Sequence, residues 1–458
     1  MKAAARTETI AVDALRVGMF VHLDIGWMSH PFPLGSFRIA SADQVATIRG
    51  LGLERVRWSP TQSDVLSPGG QGGRTRPGEL GGAPEAQAAR APSAHRSIDL
   101  NDPASATEAT GAPAAVETPA QLARAAHRRA LAADRASLAL CEKQFAEAAR
   151  DCRTLTEQVT ARPAEAREQA EQLSKALVDK MLGEHELCIR LLTDAAGDKA
   201  SAHALNVTIV SLLMGKTFGF AAADMQDLGV GAMLHDIGKL ELPERVRHRE
   251  DDSTAAELRI YEEHVAHGVG QARRMGLSPG ATLVIAQHHE HADGSGFPLH
   301  LGTDRMTAAA RIVALVNRYD NLCNPNLVSR AITPHEALSL LFAQSRTQFD
   351  TAILGAFIRM MGVYPAGSTV QLTDDRYAMV VAVNSSRPLK PRVLVHAAGV
   401  PRDEALLLDL EASAGLGIRR SIKPAQLPPE SLRYLSPRPR VAYFFEPLTV
   451  AGADDSAA

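Results

Sequence analysis

Residues 229–243 read GVGAMLHDIGKLELP. Small and apolar residues fill the first six positions, and a histidine–aspartate pair then closes a helical pattern. Gly238 is placed to end the helix, with Lys239 directly after it. One His-Asp pair is common by chance; its company makes it informative. His203 shares a helical stripe with Val207, Val210 and Met214 and so faces the interior. His264 stands in YEEHVAHGVG, three positions after Tyr261 and four before Gly268. His288 and His289 end a helix opened by Ser278-Pro279 and begin the run HHEHADGSGFP at 288–298. Five imidazoles and a carboxylate thus fall at the inner faces or ends of successive helices. Buried polar groups are costly unless paired, and a shared metal, or two, is the economical partner. Imidazole with carboxylate suits first-row divalent ions better than calcium or magnesium, which prefer oxygen cages.

The rest of the chain frames this helical zone. Its 458 residues have room for two to four domains, and apolar and charged contents of 45% and 22% are those of an ordinary globular protein. A formal net charge of −3 offers no electrostatic case for a nucleic-acid polymer or an anionic membrane as partner. Cys141, Cys152, Cys188 and Cys323 form no CxxC pair, which fits a reducing compartment. The N-terminus lacks the apolar core of a signal peptide, and no run approaches the roughly 20 apolar residues of a membrane span. A cytoplasmic location is expected.

Residues 1–60 contain short strand-like stretches (ETIAV, MFVHLD, VRW) broken by Gly, Pro and Asp, as in a small α+β domain. Residues 61–117 are Pro/Gly/Ala-rich and read as a disordered linker. Helix begins at Thr118-Pro119. From there Leu131, Leu138, Phe145, Cys152 and Val159 recur every seven residues, with Cys141, Ala148 and Leu155 three positions on. This seam has two readings, an amphipathic helix packed on its own domain or a homodimeric coiled coil through 118–160. Pro163 starts a second long helix, expected to run through LVDKMLGEHELCIRLL, so that 118–194 is a long helical linker. The helical zone occupies 195–365, a small β appendage 366–447, and a tail 448–458. The fold class is mainly α.

HDIGK at 235–239, HHE at 288–290 and DGSGFP at 293–298 resemble the signature of the HD-GYP family, a branch of the HD metal-dependent phosphohydrolases. An H-x-x-N-V segment (His203 to Val207), an H-x-x-x-G (His264 to Gly268) and an R-I-x-A-x-x-N-x-Y-D (Arg311 to Asp320) follow the family's order. Residues 13–41 also resemble the small domain often fused ahead of HD-GYP. The resemblance implies an HD-type helix bundle that opens the bacterial second messenger cyclic di-GMP to pGpG or GMP, through a hydroxide activated by two divalent metals, iron or manganese. Carried over residue by residue, it implies His203, His235, Asp236, His264, His288, His289 and Asn317 as metal ligands, with Asp236 bridging. Asp236 and Lys239 would be catalytic. Substrate contacts would come from Lys239, Asp293, Gly294, Gly296, Phe297, Pro298 and Arg311. Two metals about 3.5–4 Å apart suit an anionic phosphodiester, whose charge they neutralise, and Lys239 would stabilise developing charge.

Four departures bear on activity. Lys199 stands where three-metal members of the family carry a glutamate, Asn317 replaces the late aspartate ligand, Cys323-Asn324-Pro325-Asn326 replaces an R-P-Y segment, and Phe297 replaces a tyrosine. Asp320, one helical turn after Asn317, is an alternative ligand. Two hypotheses stand: an active phosphodiesterase, or a degenerate member that binds cyclic di-GMP or a diguanylate cyclase (GGDEF) partner and only signals. A hydrolase of another phosphoester is a third.

Overall fold

The structure is a computed structural model that describes residues 7–25, 36–39, 42–63, 118–183, 186–193, 198–247, 254–344, 347–384, 387–413 and 415–447. The linker expected over 61–117 lies, beyond Ser63, outside the described residues, and so does the tail.

At the N-terminus, strands β1 (Glu8–Ala11), β2 (Phe20–His22), β3 (Ser36–Arg38) and β4 (Arg55–Ser59) form an antiparallel sheet in the order β1-β4-β2-β3. Helix α1 (Ala42–Arg49) completes the unit. Val21, Ile39, Ile48, Val56 and Trp58 are its buried core, in agreement with the expected small mixed region at the N-terminus.

Thr118 caps α2 (Pro119–Gln158) with a capping box closed by Gln121, and Pro163 opens α3 (Pro163–Met181). Both starts agree with the sequence expectation. Phe145, Ala148, Cys152, Leu155 and Val159 of the heptad seam are buried in the core cluster shared with the helices that follow. The seam packs on its own chain, against α3, α4 (Lys199–Thr217) and β11 (Tyr443–Pro447). Over this stretch the apolar face is covered by its own chain, which favours the reading of an amphipathic helix packed on its own domain.

A correction concerns LVDKMLGEHELCIRLL. The helix stops at Met181, and Leu187–Leu191 is instead strand β5, buried at every position. An apolar run buried on both faces has no periodicity to separate strand from helix. The strand joins the C-terminal sheet, whose other members are β6 (Thr369–Leu372), β7 (Tyr377–Asn384), β8 (Arg392–Val395), β9 (Leu406–Asp409), β10 (Ile418–Ser421) and β11. The order is β10-β6-β7-β5-β11, with β8 on the other edge of β7 and β9 beyond it. The expected appendage is thus continuous with the helices: Tyr443, Phe444 and Phe445 lie in their core cluster. Arg190 on β5, 2% exposed, reaches both carboxylate oxygens of Asp134 on α2 at 2.5 and 2.6 Å, and Glu446 on β11 at 3.5 Å. This buried bidentate pair ties the long helix to the sheet.

The helical zone consists of α4, α5 (Ala222–Leu234), α6 (Glu244–Arg247), α7 (Ala255–Met275), α8 (Pro279–Gln287), α9 (Ala308–Cys323), α10 (Pro334–Gln344) and α11 (Thr351–Met361). Helix α5 packs on α4 and α8, α9 closes over α4, and a short helix α12 (Pro429–Leu435) lies against β7. Among the described residues, no helix is long and apolar enough to cross a membrane.

Candidate metal centre

Helix α5 ends at Leu234, His235 is its C-terminal cap, and a 3-10 turn spans Ile237–Glu241. Gly238 does not end the helix as expected; it lies inside this turn, backed against α7. A Cβ there would fall more than 1 Å inside the 3.0 Å limit from the His264 carbonyl oxygen, and 2.9 Å from the Gly268 Cα. The two glycines let the His-Asp turn approach the helix that carries His264.

His235, His264 and His288 each place Nδ1 on a backbone carbonyl three residues earlier: Ala232 at 2.7 Å, Tyr261 at 2.5 Å and Ile285 at 2.7 Å. A carbonyl can only accept, so Nδ1 carries a proton and Nε2 is the nitrogen turned toward the site. His203 Nδ1 is held the same way by Asp320 Oδ2 at 2.6 Å. The Nε2 atoms converge in pairs, His203 with His235 at 3.2 Å and His264 with His288 at 3.3 Å. Asp236 stands between the pairs. Its Oδ2 is 3.7 Å from His203 Nε2 and 3.5 Å from His235 Nε2; its Oδ1 is 3.7 Å from both His264 and His288. His289 joins the second group.

These donors form two groups, each of which could hold a metal ion. Ring nitrogens that converge this closely are well placed to share a cation, and each half of the set supplies nitrogen with one carboxylate oxygen. Asp236 Oδ1 and His289 Nε2 are buried with no hydrogen-bond partner, as unsatisfied ligand atoms would be. His203, His235 and Asp236 would hold one ion, and Asp236, His264, His288 and His289 the other.

The electrostatics prepare the set for ligation. Burial pushes the His264 imidazole down to about 3, and burial lowers His288 and His289 as well, so all three are neutral at pH 7. For Asp236, burial opposes ionisation, but the Lys239 ammonium and the nearby imidazoles outweigh it and hold the carboxyl well below its ordinary value. Lys239 Nζ is 2.6 Å from Asp236 Oδ2 and 5.2 Å from the centre of the Tyr261 ring. Burial works against its charge and the Asp236 carboxylate more than restores it.

The remaining predicted residues divide. Asn317 is buried on α9, and its Oδ1 accepts from Asn321 Nδ2 at 2.6 Å. Asp320, the alternative ligand, instead orients His203 and accepts from Asn206 and Asn324 through Oδ1, at 3.0 and 2.9 Å. Arg311 is engaged with Asp350 at 2.5 Å. His267 bonds Glu241 and His291 bonds Ser295; neither belongs to the donor set. In the loop, Asp293 accepts from the Ser295 backbone and Gly294 adopts a φ of 77°. Phe297 stacks on His289 at 4.5 Å, and Pro298 follows it at the surface. The close approach allowed by Gly296 is to the backbone of His289 to His291. Sequence reasoning gave Glu290 no definite role: fully buried, it accepts from the Leu299 and Leu301 backbone at 2.7 and 2.8 Å and clamps the loop. Its place inside HHE was the available signal. Tyr261, which packs on His264 and under Lys239, was noted only as a spacing marker.

Residues 186–353 match the HD domain family, and residues 7–170 match the Domain of unknown function (DUF3391). The cyclic di-GMP phosphodiesterase PA4108 of Pseudomonas aeruginosa is 26% identical, over 42% of this chain and 47% of its own. The cyclic di-GMP phosphodiesterase response regulator RpfG of Xanthomonas campestris is 30% identical, over 35% and 43%. The 3'3'-cGAMP-specific phosphodiesterase 2 of Vibrio cholerae is 27% identical, over 35% and 31%. The chain thus spans less than half the length of each of these relatives. Residues 186–353 are thus similar to an HD domain, and over that segment the chain resembles proteins named as cyclic di-GMP phosphodiesterases.

Proposed function

We propose that the chain is a metal-dependent phosphodiesterase that hydrolyses cyclic di-GMP to pGpG or GMP. The observation that carries this reading is Asp236, whose two oxygens each face a separate group of imidazoles. The names of the relatives support the substrate class, cyclic dinucleotides, and the Vibrio cholerae relative makes 3'3'-cGAMP the alternative within it.

Divalent ions held by the two groups, iron or manganese, would neutralise phosphoryl charge and make a nucleophile from water at neutral pH. The chain's own residues do the rest. Asp320 and the carbonyls of Ala232, Tyr261 and Ile285 hold the imidazoles in one tautomer and orientation. Lys239 remains protonated beside Asp236 and offers its charge to the phosphoryl oxygens as negative charge develops there. Phe297, stacked on His289, forms an apolar wall next to the donors.

A second reading, a sensor without turnover that binds cyclic di-GMP or a diguanylate cyclase partner, is favoured by Asn317, which brings a neutral amide where the family has a carboxylate. The test is metal analysis and hydrolysis on one preparation. Protein loaded with manganese or iron under reducing conditions is expected to hold about two ions per chain and to cleave cyclic di-GMP. Full loading and binding without cleavage would establish the sensor reading. His235→Ala with Asp236→Ala should abolish metal and turnover together; surviving activity would refute the site.

A further inference from the structure

The segment Cys323–Asn326, which departs from the family motif, is where two cations from distant parts of the chain meet. Asn324 is buried after the end of α9. Its Nδ2 donates to the Val441 carbonyl at 2.9 Å, and its Oδ1 accepts from the Val441 backbone at 2.8 Å. That pairing fixes the chain entering β11 and brings Arg440 alongside, where Nη2 reaches the Asn326 carbonyl at 3.5 Å. From the other side Lys199 Nζ bonds Asn326 Oδ1. Lys199 is the first residue of α4, one turn before His203 and on the same face. Among the described residues neither cation forms an ion pair. Burial, then the charges of Arg440 and Lys239, push the Lys199 ammonium down to about 8, against the opposing pull of the Asp320 carboxylate.

A cyclic dinucleotide carries two phosphodiesters, and the metal centre can address one. We propose that Lys199 and Arg440 form an anion subsite for the second phosphodiester of a cyclic dinucleotide, beside the His203 end of the metal centre. This rests on the reading of the centre as a cyclic-dinucleotide site, with or without turnover. It gives the C-terminal sheet a part in substrate choice, because Arg440 sits on the approach to β11.

The test compares the manganese-loaded full chain with Lys199→Ala, Lys199→Arg and Arg440→Ala. Cyclic di-GMP is the two-phosphate probe, read as KM if it is cleaved and Kd if it is only bound. Bis(p-nitrophenyl) phosphate, with a single phosphodiester, reports the metal centre alone. Each alanine variant should weaken cyclic di-GMP about ten-fold or more, the expected loss for one charged contact. Lys199→Arg should retain most of the affinity, and metal content and turnover of the small diester should not change. Unchanged cyclic di-GMP affinity in both alanine variants would overturn the subsite and leave the proposed function standing. Equal losses on both probes, or lost metal, would overturn it by making the residues supports of the centre. A wild-type chain that neither binds nor cleaves cyclic di-GMP or 3'3'-cGAMP would remove the proposed function, and the subsite with it.

Discussion

Gly238→Ala should damage the metal centre without touching a ligand. The added Cβ would stand more than 1 Å too close to the His264 carbonyl oxygen and would also press on the Gly268 backbone. Both obstacles are backbone atoms of α7, so no side-chain rotation relieves them. The 3-10 turn and α7 must separate by about an ångström, and that motion pulls Asp236 away from His264. These two ligands now stand 3.7 Å apart across the position an ion would take. Metal sites tolerate displacements of only about 0.5 Å, so affinity at the His264–His288–His289 half should fall at least about ten-fold. Overpacking should cost about 1–3 kcal/mol of stability in addition. Manganese titration of the purified chain, with thermal unfolding of the same samples, measures both effects. Gly270→Ala is the control: it lies on the same helix, a Cβ there meets nothing within 4 Å, and the gain in helix propensity should stabilise by up to about 1 kcal/mol. Wild-type metal affinity in Gly238→Ala would refute the claim that this contact sets the spacing of the centre.

Further outcomes follow from other contacts. Asp320→Ala frees the His203 ring and leaves the Asn206 and Asn324 donors short of an acceptor; metal affinity should drop about 10–100-fold, and an unaltered titration would sink its positioning role. Asn317→Asp should keep or raise metal affinity, and a clear loss would exclude position 317 from the ligand set. Arg190→Met removes the buried guanidinium but leaves Arg392 at 3.2 Å from Asp134 and 3.8 Å from Glu446, so it should cost about 1–3 kcal/mol, measured by urea denaturation; an unchanged midpoint would refute a stabilising role for Arg190. For the metal-free chain, the His264 imidazole is neutral in the folded state down to about pH 3, while the unfolded chain takes up its proton near 6.5. The unfolded state therefore binds more protons between these values, and stability should decline as pH falls through that window. Denaturation midpoints at pH 7.5, 6 and 5 check the sign, and a midpoint rising on acidification would refute it.

Part of the candidate donor set was readable because adjacency is itself a signal; His203 and His264 were assigned as ligands from the family resemblance. His235-Asp236 and His288-His289 are neighbours in the chain, and a helix end puts both members at one mouth. The α2 and α3 starts were equally plain, since Thr-Pro and a lone proline constrain the backbone locally. The partner of the heptad seam was not readable, because an apolar stripe records that it is covered and not by what. Strand β5 was missed because it is buried on both faces, Arg190 included, so its pattern shows no alternation.

By itself, then, the sequence determined the helical class and the α2 and α3 starts, which depend on residues close in the chain, and it named as candidates the six His and Asp residues that the fold gathers into two groups. Tertiary structure decided the rest. It drew Asp320 to His203 over 117 positions, gave Gly238 its place against α7, and brought Arg440 and Lys199 together over Asn326. Those pairings are set by how helices and sheet pack on one another, and no local pattern of residue types encodes the distance between two side chains that meet only when the core closes.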